Sequence, residues 1–192
     1  MNKIIEKLIC TYENVLSNKI CNIIIQKFEN DKEIYYKNDK NSNLSILQIR
    51  SEPDPIWKEI DNIICNIISE SSNHYKIHAK DIIYKFPFED LFDDGYYIHK
   101  FYKNIGFNNV CNPFNYDKNF GSSIILFVFF LNDIEEGGEL EFFNIINIKP
   151  KKGNLILFPA TWDLIHKYNI PINSNNYVIT GTLYHKEYHI NN

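Results

Sequence analysis

The chain has 192 residues, enough for one domain with a sizeable core. Hydrophobic residues make up 44%, which argues against disorder, and a net charge of −4 argues against a basic surface for nucleic acid. The longest apolar run, Ile124 to Leu131, is too short to cross a bilayer, and charges interrupt Met1-Asn2-Lys3-Ile4-Ile5-Glu6-Lys7 where a signal peptide would be apolar. The expected setting is therefore the reducing cytoplasm, with neither membrane nor nucleic acid as partner. Cys10, Cys21, Cys65 and Cys111 are expected as thiols, and their wide spacing matches no zinc motif. Cys21 and Cys65 sit among isoleucines and are expected to pack as small hydrophobes. The bias toward Asn, Ile, Lys, Tyr and Phe is typical of AT-rich genomes, such as those of large DNA viruses, phages and protists.

No repeat or Gly/Ser linker divides the chain, so residues 1–192 are read as a single domain, helical over about 1–85 and β-rich over about 96–186. Ser17 can cap a helix that sets Ile20, Ile24 and Phe28 on one face. Asn30 to Leu44 is polar and reads as a loop, with a short strand at Ile34-Tyr35-Tyr36. Pro53 and Pro55 precede a second helix, striped by Trp57, Ile60, Ile64, Ile67 and Ile68 and widened by Ile63. Glu89-Asp90 and Asp93-Asp94 flank Gly95 and read as a solvated turn. From Tyr96 the period becomes two: Tyr97, His99 and Phe101 alternate with Tyr96, Ile98 and Lys100, placing His99 toward the interior with Phe101. Ser123 to Leu131 is apolar without alternation, as in a strand covered on both faces. Glu139 to Phe143, Ile145 to Ile148, Leu155 to Phe158, Leu164 to Tyr168 and Tyr177 to Tyr184 read as further short strands. Turn chemistry at Gly137-Gly138, Pro150 to Gly153 and Pro171 to Asn176 separates them. Two helices and then about eight short strands predict a mainly β fold with α, a jelly-roll sandwich with N-terminal helices packed on one sheet.

Leu131-Asn132-Asp133, Gly137-Gly138-Glu139, Lys149-Pro150-Lys151-Lys152-Gly153, Phe158-Pro159-Ala160 and Tyr177-Val178-Ile179-Thr180-Gly181 occur in one order. With the opening Tyr12-Glu13-Asn14-Val15-Leu16-Ser17, this series resembles the prolyl-4-hydroxylase-like 2-oxoglutarate/Fe(II) oxygenases over roughly Thr11 to His185. The resemblance implies a double-stranded β-helix. It also implies Fe(II) and 2-oxoglutarate as cofactors, with iron held by an early His-x-Asp or His-x-Glu pair and a distal His. A basic residue about ten positions past that His would bind the far carboxylate of 2-oxoglutarate.

His166 matches the distal ligand. The early pair does not match. With Phe101 and Gly106-Phe107 aligned to the approach strand, Val110 takes the His position and Asn112 the acid position. The neighbouring register gives Cys111 and Pro113. The cosubstrate's basic residue becomes Asn176, and an Arg often found at the start of the long apolar strand becomes Ser123. Val offers no lone pair, and a neutral amide is a poorer ligand than a carboxylate for a dication.

Two functions follow. In one, the catalytic centre has decayed and the scaffold serves as a binding or structural protein for a peptide or protein partner. In the other, an active dioxygenase hydroxylates a protein side chain or another substrate. Its iron would be held by His166 with His99, Cys111, Asn112 or Asp117 at an irregular site. His74 and His78, spaced i, i+4 and read as lying after the second helix, are expected as a surface pair, and His185 and His189 likewise. No nucleophile triad, P-loop or dinucleotide loop is present.

Overall fold

The computed structural model describes residues 3–31, 44–83, 90–106, 116–117, 119–161 and 164–185. The helices are α1 (Lys3–Lys7), α2 (Asn18–Asn30) and α3 (Pro55–Ile83). The early strands are β1 (Cys10–Tyr12), β2 (Leu44–Gln48), β3 (Phe92–Phe101), β4 (Tyr116–Asp117) and β5 (Gly121–Phe130). They are followed by β6 (Leu140–Phe142), β7 (Ile146–Ile148), β8 (Leu155–Pro159), β9 (His166–Tyr168) and β10 (Asn176–His185). The expected strand at 34–36 lies outside the described residues.

The large sheet runs β1-β8-β5-β10-β3-β2, with β4 paired to β5, and a three-stranded sheet runs β7-β6-β9. All described pairings are antiparallel. Alternation along the strands of the large sheet divides the interior in two. Ile98, Ile125, Phe127, Phe129, Leu155, Leu157 and Ile179 face one way and share a buried cluster with Ile24 and Phe28 of α2 and Trp57, Ile60, Ile64 and Ile68 of α3. Phe101, Val128, Phe130, Ile156, Phe158 and Val178 face the other way. They pack with Leu140 and Phe142 of β6, Leu164, and Tyr168 of β9. The unbroken apolar run of β5 is thus explained: helices cover one face and the small sheet the other.

Ser17 caps α2 as its sequence predicts. Its backbone is extended, and its hydroxyl accepts the Ile20 N–H at 3.3 Å. The structure corrects several expectations. Helix α3 continues to Ile83, because its buried face continues as Ser71, Ser72, Tyr75 and Ala79, beyond the isoleucine stripe. His74 and His78 therefore lie within α3; both are exposed, and His78 Nε2 bonds the Lys7 carbonyl at 2.8 Å. Asp93-Asp94-Gly95 belongs to β3 and is no solvated turn. Arg50 pairs with Asp93, donates to Tyr96 Oη at 2.9 Å, and reaches Asp61 of α3 at 3.4 Å. Gly95, at φ +101°, makes the bend that lets the strand begin early. Strand β2, read as part of no element, pairs with β3 at the edge of the large sheet. Cys65 is exposed on α3, whereas Cys21 is fully buried; these two and Cys10 are unbridged. Among the described residues no helix is long and apolar enough to cross a membrane.

Candidate functional site

A cavity of about 270 Å³ opens between the two sheets. Leu44 and Ile46 of β2, His99 and Phe101 of β3, Leu126 and Val128 of β5, His166 and Tyr168 of β9, and Thr180 of β10 line it. The alternation of β3 sends His99 inward with Phe101, as its sequence predicts. Opposite His99 across the ladders stand Ile46 and Val178. His99 Nε2 shares a hydrogen bond of 2.8 Å with Thr180 Oγ1, and its ring stacks over Phe101 at 6.2 Å and 14°. The Phe101 ring in turn stacks on Tyr168 at 4.8 Å. Tyr168 stands edge-on to His166 at 6.4 Å, so four rings run in series from one imidazole to the other.

His166 begins β9 opposite Phe142 of β6. It is 4% exposed, wedged between the rings of Phe158 at 5.0 Å and Phe142 at 5.8 Å. Its Nδ1 finds no hydrogen-bond partner among the described residues. Burial pulls the His166 pKa down to about 4. Burial alone pulls His99 down to about 4 as well. Both rings are neutral near pH 7.

Asn176 opens β10 opposite Phe101 and is fully buried. Its Nδ2 donates to the Gly138 carbonyl at 3.1 Å, and its Oδ1 finds no partner among the described residues. The amide at the position of the expected basic residue thus secures the Gly137-Gly138 turn. Gly137 itself is required, since a Cβ there would lie 2.0 Å from the Ile170 carbonyl. The other shared motifs are likewise structural. Asn132 accepts the Tyr177 N–H and donates to the Asn175 carbonyl, and Asp133 accepts the Lys152 N–H. Asp117 accepts the N–H groups of Asn119 and Phe120, which commits it to a local turn. His185, on the last residue of β10, bonds the Asp90 carbonyl.

The structure therefore brings His99 and His166 to one cavity and leaves Asn176 bonded to backbone beside it. Val110, Cys111, Asn112 and Pro113, and also His189, lie outside the described residues. Among the described residues no group of three or more His, Cys, Asp or Glu is disposed to hold a metal. Phe101, Tyr168 and Thr180 were not singled out as site residues. Strand alternation applied to Tyr177 to Tyr184 would have found Thr180, two positions past Val178 on the same face.

Iron and 2-oxoglutarate fit poorly to what lines this cavity. Two imidazoles are present, but no described lining residue is a carboxylate to complete the ligand set and none is a Lys or Arg to pair with a dianion.

No family model matches the sequence, and no curated protein matches it. Solved structures do match. The viral collagen prolyl hydroxylase of Paramecium bursaria Chlorella virus 1, in complex with 2-oxoglutarate, superposes with a TM-score of 0.65 at 13% identity, covering 94% of this chain and 97% of that one. A prolyl-4-hydroxylase of Pseudomonas putida gives 0.64 at 12% identity, covering 96% and 98%. A Trichoplax adhaerens prolyl hydroxylase, in complex with a hypoxia inducible factor peptide, gives 0.62 at 14%, covering 96% and 88%. Helices against one face of an antiparallel sheet, a second small sheet against the other, and this correspondence over nearly the whole chain lead to one conclusion: the protein has the double-stranded β-helix fold of the prolyl-4-hydroxylase-like 2-oxoglutarate oxygenases.

Proposed function

We propose that this chain is a non-catalytic binding protein built on the prolyl-hydroxylase scaffold, with its oxygenase centre lost. The observation that supports it is the fully buried Asn176, a neutral amide bonded to the Gly138 carbonyl where the resemblance calls for a cation. A 2-oxoglutarate dianion would leave water for a cavity that offers it two neutral imidazoles and apolar walls, and an unpaired buried charge is costly. Val110 and Asn112, at the positions of the early metal pair, point the same way. On this reading the whole chain acts as one unit in the cytoplasm, its cavity mouth receiving a peptide, a protein or a small molecule. The second reading is an active Fe(II)/2-oxoglutarate dioxygenase acting on a protein side chain. It is favoured by one observation, that His99 and His166 line the same cavity.

Anaerobic calorimetry with Fe(II) and 2-oxoglutarate, run beside His166→Ala, separates the two. We expect no binding to either protein. Micromolar binding to the unsubstituted chain that His166→Ala abolishes would overturn the binding-protein reading in favour of the enzyme.

A further inference from the structure

We propose that the cavity between the sheets takes a small neutral aromatic molecule carrying one hydroxyl or N–H donor, of the phenol or indole class. The inference rests on the binding-protein reading and names its ligand.

Size sets the first limit. About 270 Å³ lies just below the range of typical small-molecule sites, roughly 300–1,000 Å³. It is nearly twice the ~150 Å³ that encloses benzene in an engineered apolar cavity. One substituted ring or a fused pair of rings fits; a drug-sized ligand does not.

The walls set the second limit. The stacked pair Phe101 and Tyr168, with His99 laid over Phe101, presents ring faces and edges to the cavity, and Leu126, Val128 and Ile46 close it with methyl groups. An aromatic guest gains both buried apolar area and ring–ring contact there.

Polarity sets the third. The only described polar side chains in the lining are His99, His166, Tyr168 and Thr180, none of them an acid, a Lys or an Arg. A neutral imidazole keeps one acceptor nitrogen, so His166, and also His99 when its Nε2 donates to Thr180, can accept from an O–H or N–H. His166 is more than nine-tenths buried with an Nδ1 that no described residue satisfies, a polar point left for a guest in a mostly apolar chamber. A carboxylate guest would find no counter-charge. The same chamber that receives a phenol or indole therefore discriminates against benzoate and 2-oxoglutarate.

The test titrates the full chain with indole, and separately with benzoate, by calorimetry and by saturation-transfer NMR. Two variants accompany it. Ile46→Phe extends a ring into the cavity from edge strand β2, where repacking is easiest, and His99→Leu keeps the walls apolar but removes one acceptor. We expect saturable indole binding at least tenfold tighter than benzoate, with intermolecular contacts to the Phe101 and Tyr168 ring protons. We also expect a loss of tenfold or more in Ile46→Phe and a smaller loss in His99→Leu. Absence of saturable indole binding to the folded unsubstituted protein overturns the proposal. So does benzoate binding as tight as indole, or indole contacts to ring protons elsewhere, and the last two readings need no variant to fold. Failure with indole while Fe(II) and 2-oxoglutarate also fail to bind removes the ligand class and leaves the binding-protein reading in place. Binding of Fe(II) and 2-oxoglutarate removes that reading itself.

Discussion

Residues that carry a resemblance need not be the residues that carry chemistry. Asn132, Asp133 and Gly137 hold turns and strand ends through backbone bonds, and any protein closing the same loops at the same lengths benefits from them. His166 matches the distal ligand that the resemblance implies, and it sits in a nest of rings. Its environment, with that of His99, makes stability depend on pH in a defined direction. Each ring has a pKa near 6.5 unfolded and about 4 folded, so the unfolded chain takes up protons first as the solution is acidified. The contribution of the neutral rings is complete above about pH 6.5 and is lost between about 6.5 and 4. Denaturant titrations at pH 7, 5.5 and 4.5 should show stability falling by up to ~3 kcal/mol per ring. His166→Leu should fall less steeply over that window than the unsubstituted chain; equal slopes would mean that the ring is hydrated and titrates normally.

Elements show where reading by pattern succeeds and where it stops. The cap at Ser17 and the stripe of α2 are local signals, set within one turn and one face, and both are realised. The C-terminal half of α3 buries Ser71, Ser72, Tyr75 and Ala79, so its inward face carries hydroxyls and an alanine where the first half carries isoleucines, and the isoleucine stripe does not announce it. The start of β3 was hidden because two adjacent aspartates and a glycine spell a turn in isolation. Arg50, more than forty residues earlier, changes the outcome by neutralising Asp93 and holding Tyr96. Close packing between elements is just as distant. A Cβ on Gly181 of β10 would come 2.2 Å from the tip of the Phe127 ring on β5. Gly181→Ala should therefore destabilise the fold by about 1–3 kcal/mol through overpacking. Chemical denaturation checks it, and Phe127→Leu in the same chain should recover part of the loss. No recovery would place the strain elsewhere.

At the scale of the molecule, the large sheet is a middle layer whose two faces bury different cores, one under helices and one under the small sheet. Strands β8, β5 and β10 lie inside that sheet, and Leu157, Phe127, Phe129, Val178 and Ile179 on them are at zero exposure, while β2 and β7 are edges among the described strands. Native-state hydrogen exchange should find the slowest amides in β5, β8 and β10, opening only with global unfolding, and fast exchange in β2 and β7. The edge position of β2 also bears on the cavity. Leu44 and Ile46 form one wall, so fraying of a five-residue edge strand would admit a ligand without disturbing the central strands. Protection of β2 that rises on adding indole would link that opening to binding.

The sequence by itself determined the fold class, because hydrophobic period, turn chemistry and the order of five short motifs are local properties, each written within a few residues. Through the resemblance it also singled out His166, at the place of a distal ligand, and Asn176, at the place of an expected basic residue. Only the tertiary structure decided what these residues face. His99 and His166 are 67 positions apart along the chain, and antiparallel pairing across two sheets brings them to one cavity. Their neutrality comes from burial, which depends on every element that excludes water around them. The commitment of Asn176 to the Gly138 carbonyl needs a contact across 38 positions that no local pattern specifies. Spacing names candidate residues; the charge they carry, the partners they bond and the space they leave between them are set by packing.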